Sequence, residues 1–492
     1  MTPFFYTRET FGGAPRRYHL LPFRFTRFDP GELLVNEAGE YLIVTSGTVA
    51  DLVHHRLPTD TDLYLSLKAK HFVYDNETDA LLDVLATKLR TKKSFLDNGP
   101  VLHIMVLTQR CENACTYCQV SRQPVNQCGY DMTAATARRC IEWIMSSPSK
   151  HVTIEFQGGE PLLAFDILQC AVNTAEELAL QHNKDITFVL ATNLANTNAE
   201  ILGFLRDHKV KISTSLDGPE ALHNQNRPRH GQNSYQVTVA NIRRAREYVG
   251  HSNVSALMTT TRTALPFARE IVDEYVRQGF SSIFLRGINP YGLATKNNYT
   301  TAEFLDFYKA ALDHIITLNR AGTSMAEVFA TIILTKILTP YPTGYVDLQS
   351  PTGSATMVLA YHYNGDVYAS DEGRMLAEMG DNTFRLGNVH QDNPSTITRS
   401  PAFEYLMNAS CNEALPGCAD CAYQMYCGSD PVRNHATQAD AYGHRPTSTF
   451  CKKHHGIITH LFRLIQHADP DLMRIFFGWI RGAYGEASAV CD

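Results

Sequence analysis

The sequence predicts an α/β fold: a partial (β/α)6 barrel of the TIM type, with a small α+β module before it and a cysteine-rich extension after it. Three observations predict this. From about Leu102 to Arg286, six short apolar runs alternate with longer amphipathic stretches, the pattern of parallel strands covered by helices. The first 97 residues have a different texture, a hairpin followed by helices, and seven of the twelve cysteines fall in two tight groups.

Taken in order, residues 1–97 form the first module, with LLVNEAGEYLIV reading as a winged-helix-like β-hairpin and TVADLVHHRL, TDLYLSLKAKHFV and DALLDVLATKLRTKKS as helices. The barrel spans 98–300. Its strands are LHIMVL from Leu102, VTIEF from Val152, ITFVLA from Ile186, VKISTS from Val210, VSALMT from Val254 and SIFLR from Ser282. Between them, segments such as TAATARRCIEWIMSS place apolar residues at i, i+3 and i+4, as a helix packed on a sheet requires. Six units make a partial barrel, and chemistry belongs on the loops after the strand ends. A helical linker follows over 301–345, then a loop-rich, cysteine-bearing extension over 346–455, then an amphipathic helix pair over 456–492.

Composition narrows the class. At 44% apolar and 19% charged residues the chain is neither disordered nor a coiled coil, and a formal charge of −6 gives no nucleic-acid footprint. The opening MTPFFYTRETFGGAPRRYHLL lacks an apolar signal core, and no run of 18 apolar residues follows, so the sequence predicts a cytoplasmic protein without a membrane partner. Reducing surroundings make twelve cysteines an improbable disulfide framework and favour metal ligation.

The first group, CENACTYC, sets Cys111, Cys115 and Cys118 directly after the first strand. Three thiolates can hold an iron–sulfur cubane and leave one iron open to an external chelating ligand. A zinc site completed by His103 or Cys128 competes, although structural zinc favours paired CxxC knuckles. At later strand ends come QGGEP (Gln157–Pro161), ATN (Ala191–Asn193) and SLDGP (Ser215–Pro219). Gly158 and Gly159 are expected to let backbone approach a ligand, and Glu160 offers a carboxylate for an ammonium group.

CxxxCxYC with these motifs resembles the radical S-adenosylmethionine (SAM) superfamily. The resemblance implies a [4Fe–4S] cluster on Cys111, Cys115 and Cys118 and SAM as cofactor. Tyr117 would then lie against adenine, the Gly158–Glu160 motif and Asn193 on the SAM side, and Ser215 and Arg227 at its ribose and carboxylate. SLDGP followed by HNQNRPRHGQNSY is similar to peptide-modifying members, anaerobic sulfatase maturases among them. Asp217 and His223 read equally well as a salt-linked loop that shapes the site.

The second group, CADCAYQMYC with a later STFCKKHH, is similar to the C-terminal extension of SPASM proteins. It implies one auxiliary [4Fe–4S] cluster on Cys418, Cys421, Cys427 and Cys451. A four-cysteine zinc knuckle competes. A second auxiliary cluster is not expected, because Ser370 and Asp430 stand where the family has cysteines. Cys411 reads as a spare thiol. Asp371 matches the acidic base of the sulfatase maturases and reads equally as a turn or capping residue.

The opening module, and ASDEGRML and CGSDPVR later, resemble the His-Xaa-Ser system radical SAM maturases of the B type. That resemblance implies cross-linking of a ribosomally made precursor peptide, with flavodoxin or ferredoxin as electron donor and a second maturase as partner. The first module then reads as a leader-peptide recognition element or as a capping or dimerisation module. Oxidation of Cys or Ser to formylglycine, and a non-enzymatic iron–sulfur or zinc scaffold, are the alternatives.

Overall fold

The computed structural model describes residues 18–75, 80–296 and 299–488. The opening seventeen residues, read above for a missing signal core, and Cys491 lie outside them.

The chain divides into two compact units. The smaller draws on residues up to Ser94 together with Thr335–Pro342 and Pro416–Tyr426. Its sheet is an antiparallel meander of β1 (Phe23–Phe28), β2 (Gly31–Asn36) and β3 (Tyr41–Thr45). The hairpin β2–β3 is the predicted one. FRFTRF adds a strand that sequence reasoning passed over, although its aromatic residues alternate with Arg and Thr. Helices Thr48–Val53, Asp62–Ala69 and Ala80–Lys93 follow, and Leu34, Val49, Leu52, Tyr64, Leu67 and Phe72 share one core. The CADCAYQMY segment packs here, not with the rest of its predicted domain. Arg24 donates to the carbonyl of Ala419, and Tyr426 donates its hydroxyl to that of Gly39 at 2.8 Å.

In the larger unit β4 (Leu102–Thr108), β5 (His151–Gly158), β6 (Asp185–Thr192), β7 (Lys211–Ser215), β8 (Val254–Thr260) and β9 (Leu285–Gly287) run parallel, each beside the next. Helices Ala134–Met145, Phe165–His182, Ala199–Asp207, Ser234–Val249 and Ala268–Arg277 return the chain between them. Thr133, Asn198 and Asn233 start three of these helices by accepting from the third backbone N–H beyond the cap. The first helix buries Ala137, Cys140, Ile141 and Ile144 on one stripe, which makes Cys140 a packing residue.

Four expectations need correction. The sixth strand is broken: Ser282–Ile283 pairs with Ala326–Glu327, and only Leu285–Gly287 joins β8. The fully buried Glu327 sits at the break, accepting from the Leu285 N–H at 3.0 Å and the Tyr308 hydroxyl at 2.6 Å. The extension, expected as a separate domain from residue 346, instead lengthens the barrel sheet. Its strand β10 (Val358–Tyr361) lies parallel to β4, and β11 (Asp366–Tyr368) and β12 (Arg385–Asn388) follow antiparallel. Val358 and Ala360 bury one face with Ile104 and Val106, apolar surface that neither segment could cover alone. Finally, helix Thr301–Arg320 is no linker: it buries Phe304, Phe307, Tyr308, Ala311, Leu312 and Ile315. The C-terminal helices start at Thr449, not 456, where Ser448 caps the first of them and Cys451 sits in its opening turn. Among the described residues no helix is long and apolar enough to cross a membrane.

Candidate active site

A cavity of about 500 Å3 opens where the parallel strands end in the larger unit. Cys111, Cys115, Tyr117 and Cys118 line one end, Gly158, Gly159, Asn193, Ser215 and Arg227 its walls, and Asp371 the far end. The structure therefore brings these predicted residues into one space.

The cysteine loop is held from both sides. The Cys111 N–H donates to Gln123, and the Ala114 and Thr116 N–H groups donate to Pro228 and Asn226. Burial pushes the Cys115 thiol up to about 11 and the Cys111 thiol further. Thiolates form here once a cation replaces their protons, which suits a cluster's irons. The candidate zinc partners stand elsewhere: His103 is buried between Tyr361 and the carbonyl of Pro100, and Cys128 is exposed.

The two glycines line the cavity and also have a packing role. A Cβ on Gly158 would run into the carbonyl of Thr108, and one on Gly159 into those of Gln109 and Arg110. Their job is to let β5 press against the cysteine loop, as the Gly159 and Glu160 N–H bonds to Thr108 and Arg110, both 2.8 Å, record. Glu160 is fully buried and does not itself line the cavity. Its carboxylate accepts from Leu162 N–H (3.0 Å), the Thr192 hydroxyl (2.7 Å) and Asn193 N–H (2.8 Å). Burial, with Glu112 adding like charge, pushes it up to about 7. Glu160 and Glu112 both lie near the Cys111 thiol, and neither lines the cavity. Asn193 also reaches Glu112 through its side-chain amide at 3.3 Å.

Tyr117, Asp217 and Arg227 form one unit. The fully buried Asp217 accepts from the Tyr117 hydroxyl and from Arg227 Nε at 3.1 Å. His223 accepts the Asp217 N–H at Nδ1, and burial lowers it to about 4, so it stays neutral. That places His223 as a loop-shaping residue. Among the described residues, Asn113 Oδ1 and Thr214 Oγ1 are buried polar atoms on cavity-lining residues with no hydrogen-bond partner. Orphaned groups of this kind fit a polar ligand such as SAM.

At the far end Ser370 caps helix Asp371–Ala377, and Asp371 binds Arg374 Nε at 2.7 Å. Asp430 likewise caps Pro431–Gln438, accepting from the Arg433 N–H at 2.9 Å. Both positions where the family places cysteines are thus occupied by capping side chains. Three cavity carboxylates escaped sequence reasoning: Glu155, Asp347 and Glu372. Glu155 was findable, since it occupies an inward position of β5 between the outward Ile154 and Phe156. Of the four cysteines expected to hold an auxiliary cluster, Cys418 and Cys421 belong to the smaller unit and Cys427 and Cys451 to the larger.

Comparison with known proteins agrees with this geometry. Residues 105–266 match the radical SAM superfamily. By sequence the chain is 27% identical over 190 residues to an uncharacterised protein of Methanocaldococcus jannaschii, covering 38% of this chain and 62% of that one. The chain thus spans less than two thirds of that relative's length. A cysteine-type anaerobic sulfatase-maturating enzyme of Clostridium perfringens is 30% identical over 128 residues, 24% of this chain and 32% of that enzyme. In fold, native anSMEcpe with bound AdoMet aligns with a TM-score of 0.62 at 16% identity, over 77% of this chain and 99% of that one. Streptococcus suis SuiB bound to precursor peptide SuiA aligns at 0.53 and 14% identity, over 87% and 98%.

Proposed function

We propose that this chain is a peptide maturase that removes a hydrogen atom from a carbon of a ribosomally made precursor and joins that carbon to a neighbouring side chain. The observation that carries the reading is the single cavity with three thiols at one end and carboxylates with Arg286 at the other. When bound, the cluster on Cys111, Cys115 and Cys118 supplies reductive cleavage of SAM to an adenosyl radical. Glu160 and Asn193 serve the methionine end of SAM, Ser215 and Arg227 its ribose and carboxylate, and Tyr117 its adenine. Cavity walls hold the reacting carbon and keep water away. The proton that leaves as the new bond forms goes to one of the cavity carboxylates, and the resemblance alone points to Asp371 for it.

The His-Xaa-Ser repeat class of precursor is supported by the resemblance of the opening module, and a peptide substrate by the precursor seen on SuiB. That module serves as the leader-docking element. One auxiliary [4Fe–4S] cluster on Cys418, Cys421, Cys427 and Cys451, a flavodoxin- or ferredoxin-type donor, a second maturase and a cytoplasmic setting complete the reading. Formylglycine formation is the second reading, favoured by the 30% identity to the sulfatase-maturating enzyme.

The test is anaerobic reconstitution with SAM, reductant and a His-Xaa-Ser peptide. Expected are 5′-deoxyadenosine and a peptide lighter by two hydrogens with a bridge between side chains. An aldehyde trapped by hydrazine supports the second reading. Absence of 5′-deoxyadenosine rejects both.

A further inference from the structure

Four carboxylates line the cavity, and three already accept a hydrogen bond from the protein. Glu155 accepts from the Gln157 amide at 2.6 Å, Asp347 from the Tyr345 hydroxyl at 3.3 Å, and Asp371 from Arg374 Nε at 2.7 Å. Glu372 has no hydrogen bond or ion pair among the described residues. We propose that Glu372, not its neighbour Asp371, receives the substrate proton released when the cross-link closes.

The inference rests on the peptide-maturase reading. In that reaction a C–H and an X–H of the peptide become C–X. The first hydrogen leaves as an atom to the adenosyl fragment of cleaved SAM. The X–H hydrogen leaves as a proton to Glu372, and one electron passes to an acceptor of the iron–sulfur class. The Asp371 carboxylate is already engaged by buried Arg374 through a charge-assisted hydrogen bond, whereas that of Glu372 is left for the substrate. Glu372 faces Asp347 of the neighbouring short turn, Asp371 of its own helix, Asp430 at the next helix cap and Arg286 of β9. The hydroxyls of Tyr291 and Tyr345 also face it, and Arg433 and Lys453 carry positive charge close to Asp347 and Asp430. Burial, reinforced by the three aspartates against Arg286, pushes Glu372 up to about 7, where a general base works best near neutral pH.

The full chain, reconstituted anaerobically, tests this with E372Q, E372D and D371N. Wild type should show bridged peptide per 5′-deoxyadenosine rising with pH through about 7. E372Q should lower that ratio about 100-fold and flatten the rise, D371N should retain a rise with its midpoint moved down because one like charge beside Glu372 is gone, and E372D should restore part of the ratio. A rise that persists in E372Q and vanishes in D371N overturns the proposal. A second readout needs no turnover: carbodiimide with an amine nucleophile, followed by peptide mapping, on the purified chain. Glu372 should label with a midpoint near pH 7, and a midpoint below about 5 overturns the proposal. If wild type makes no bridged peptide, the maturase reading fails while the labelling still decides the state of Glu372.

Discussion

Tyr117 donates its hydroxyl to both carboxylate oxygens of Asp217, at 3.0 and 2.8 Å, and the Arg227 guanidinium lies 5.3 Å from the centre of the same ring. One residue comes from the cysteine loop after β4 and the other from the end of β7, so the pair ties two separate strand ends across the cavity floor. Arg227 neutralises the carboxylate that would otherwise be buried alone.

Asp217→Asn should destabilise the chain by about 3–5 kcal/mol, since it leaves the buried Arg227 charge without its partner. Tyr117→Phe should cost only about 1–2 kcal/mol, because Asp217 keeps Arg227. Chemical denaturation of the anaerobic protein compares the two. A larger loss in Tyr117→Phe would mean that the phenol, not the ion pair, secures the floor.

Gly159→Ala should dislodge the cysteine loop, because the space for a Cβ is occupied by the carbonyls of Gln109 and Arg110 and backbone cannot yield as a side-chain tip can. The expected outcome is a lowered melting temperature together with loss of cluster iron after reconstitution. Full iron loading at an unchanged melting temperature would show that β5 can move without consequence.

These motifs were legible because they are local: CENACTYC, QGGEP and SLDGP each follow an alternating apolar strand, and each lands at the cavity. The far end was illegible for the opposite reason. Asp347 and Glu372 stand apart in the chain, and the addition of β10 to the edge of β4 brings residues 346–372 to the barrel mouth. The packing role of Gly158 and Gly159 was illegible because a glycine needed for ligand approach and one needed for strand packing look alike in sequence. The break before Leu285 was hidden too, since it depends on Glu327 receiving a backbone N–H across 42 residues.

Glu372 also gives the fold a pH dependence of definite sign. Its folded value of about 7 lies above the unfolded value of 4.5, so the folded chain holds the proton more tightly. The stabilisation is fully present below pH 4.5 and is lost as pH rises through about 7, amounting to about 3 kcal/mol at most. Glu372→Gln removes the titration. The melting temperature of that variant should therefore gain on wild type between pH 5 and pH 8, and a gap that stays constant across this range would contradict the raised value.

The last prediction concerns the CADC turn. The Cys421 N–H donates to the Cys418 carbonyl at 3.0 Å, and the Gln424 amide donates to the same carbonyl at 3.1 Å, which bends the segment as a two-thiolate knuckle requires. Tyr426 and Arg24 then fasten this turn to the opening module, so its shape does not depend on a bound cluster alone. Cys418→Ser with Cys421→Ser should keep the fold but lower iron from about eight to about four per chain, one cubane in place of two. With the electron acceptor removed, 5′-deoxyadenosine should form in excess over bridged peptide. Iron and sulfide analysis paired with product counting checks this, and zinc bound by the wild type and lost from the variant would mark the knuckle as a structural zinc site instead.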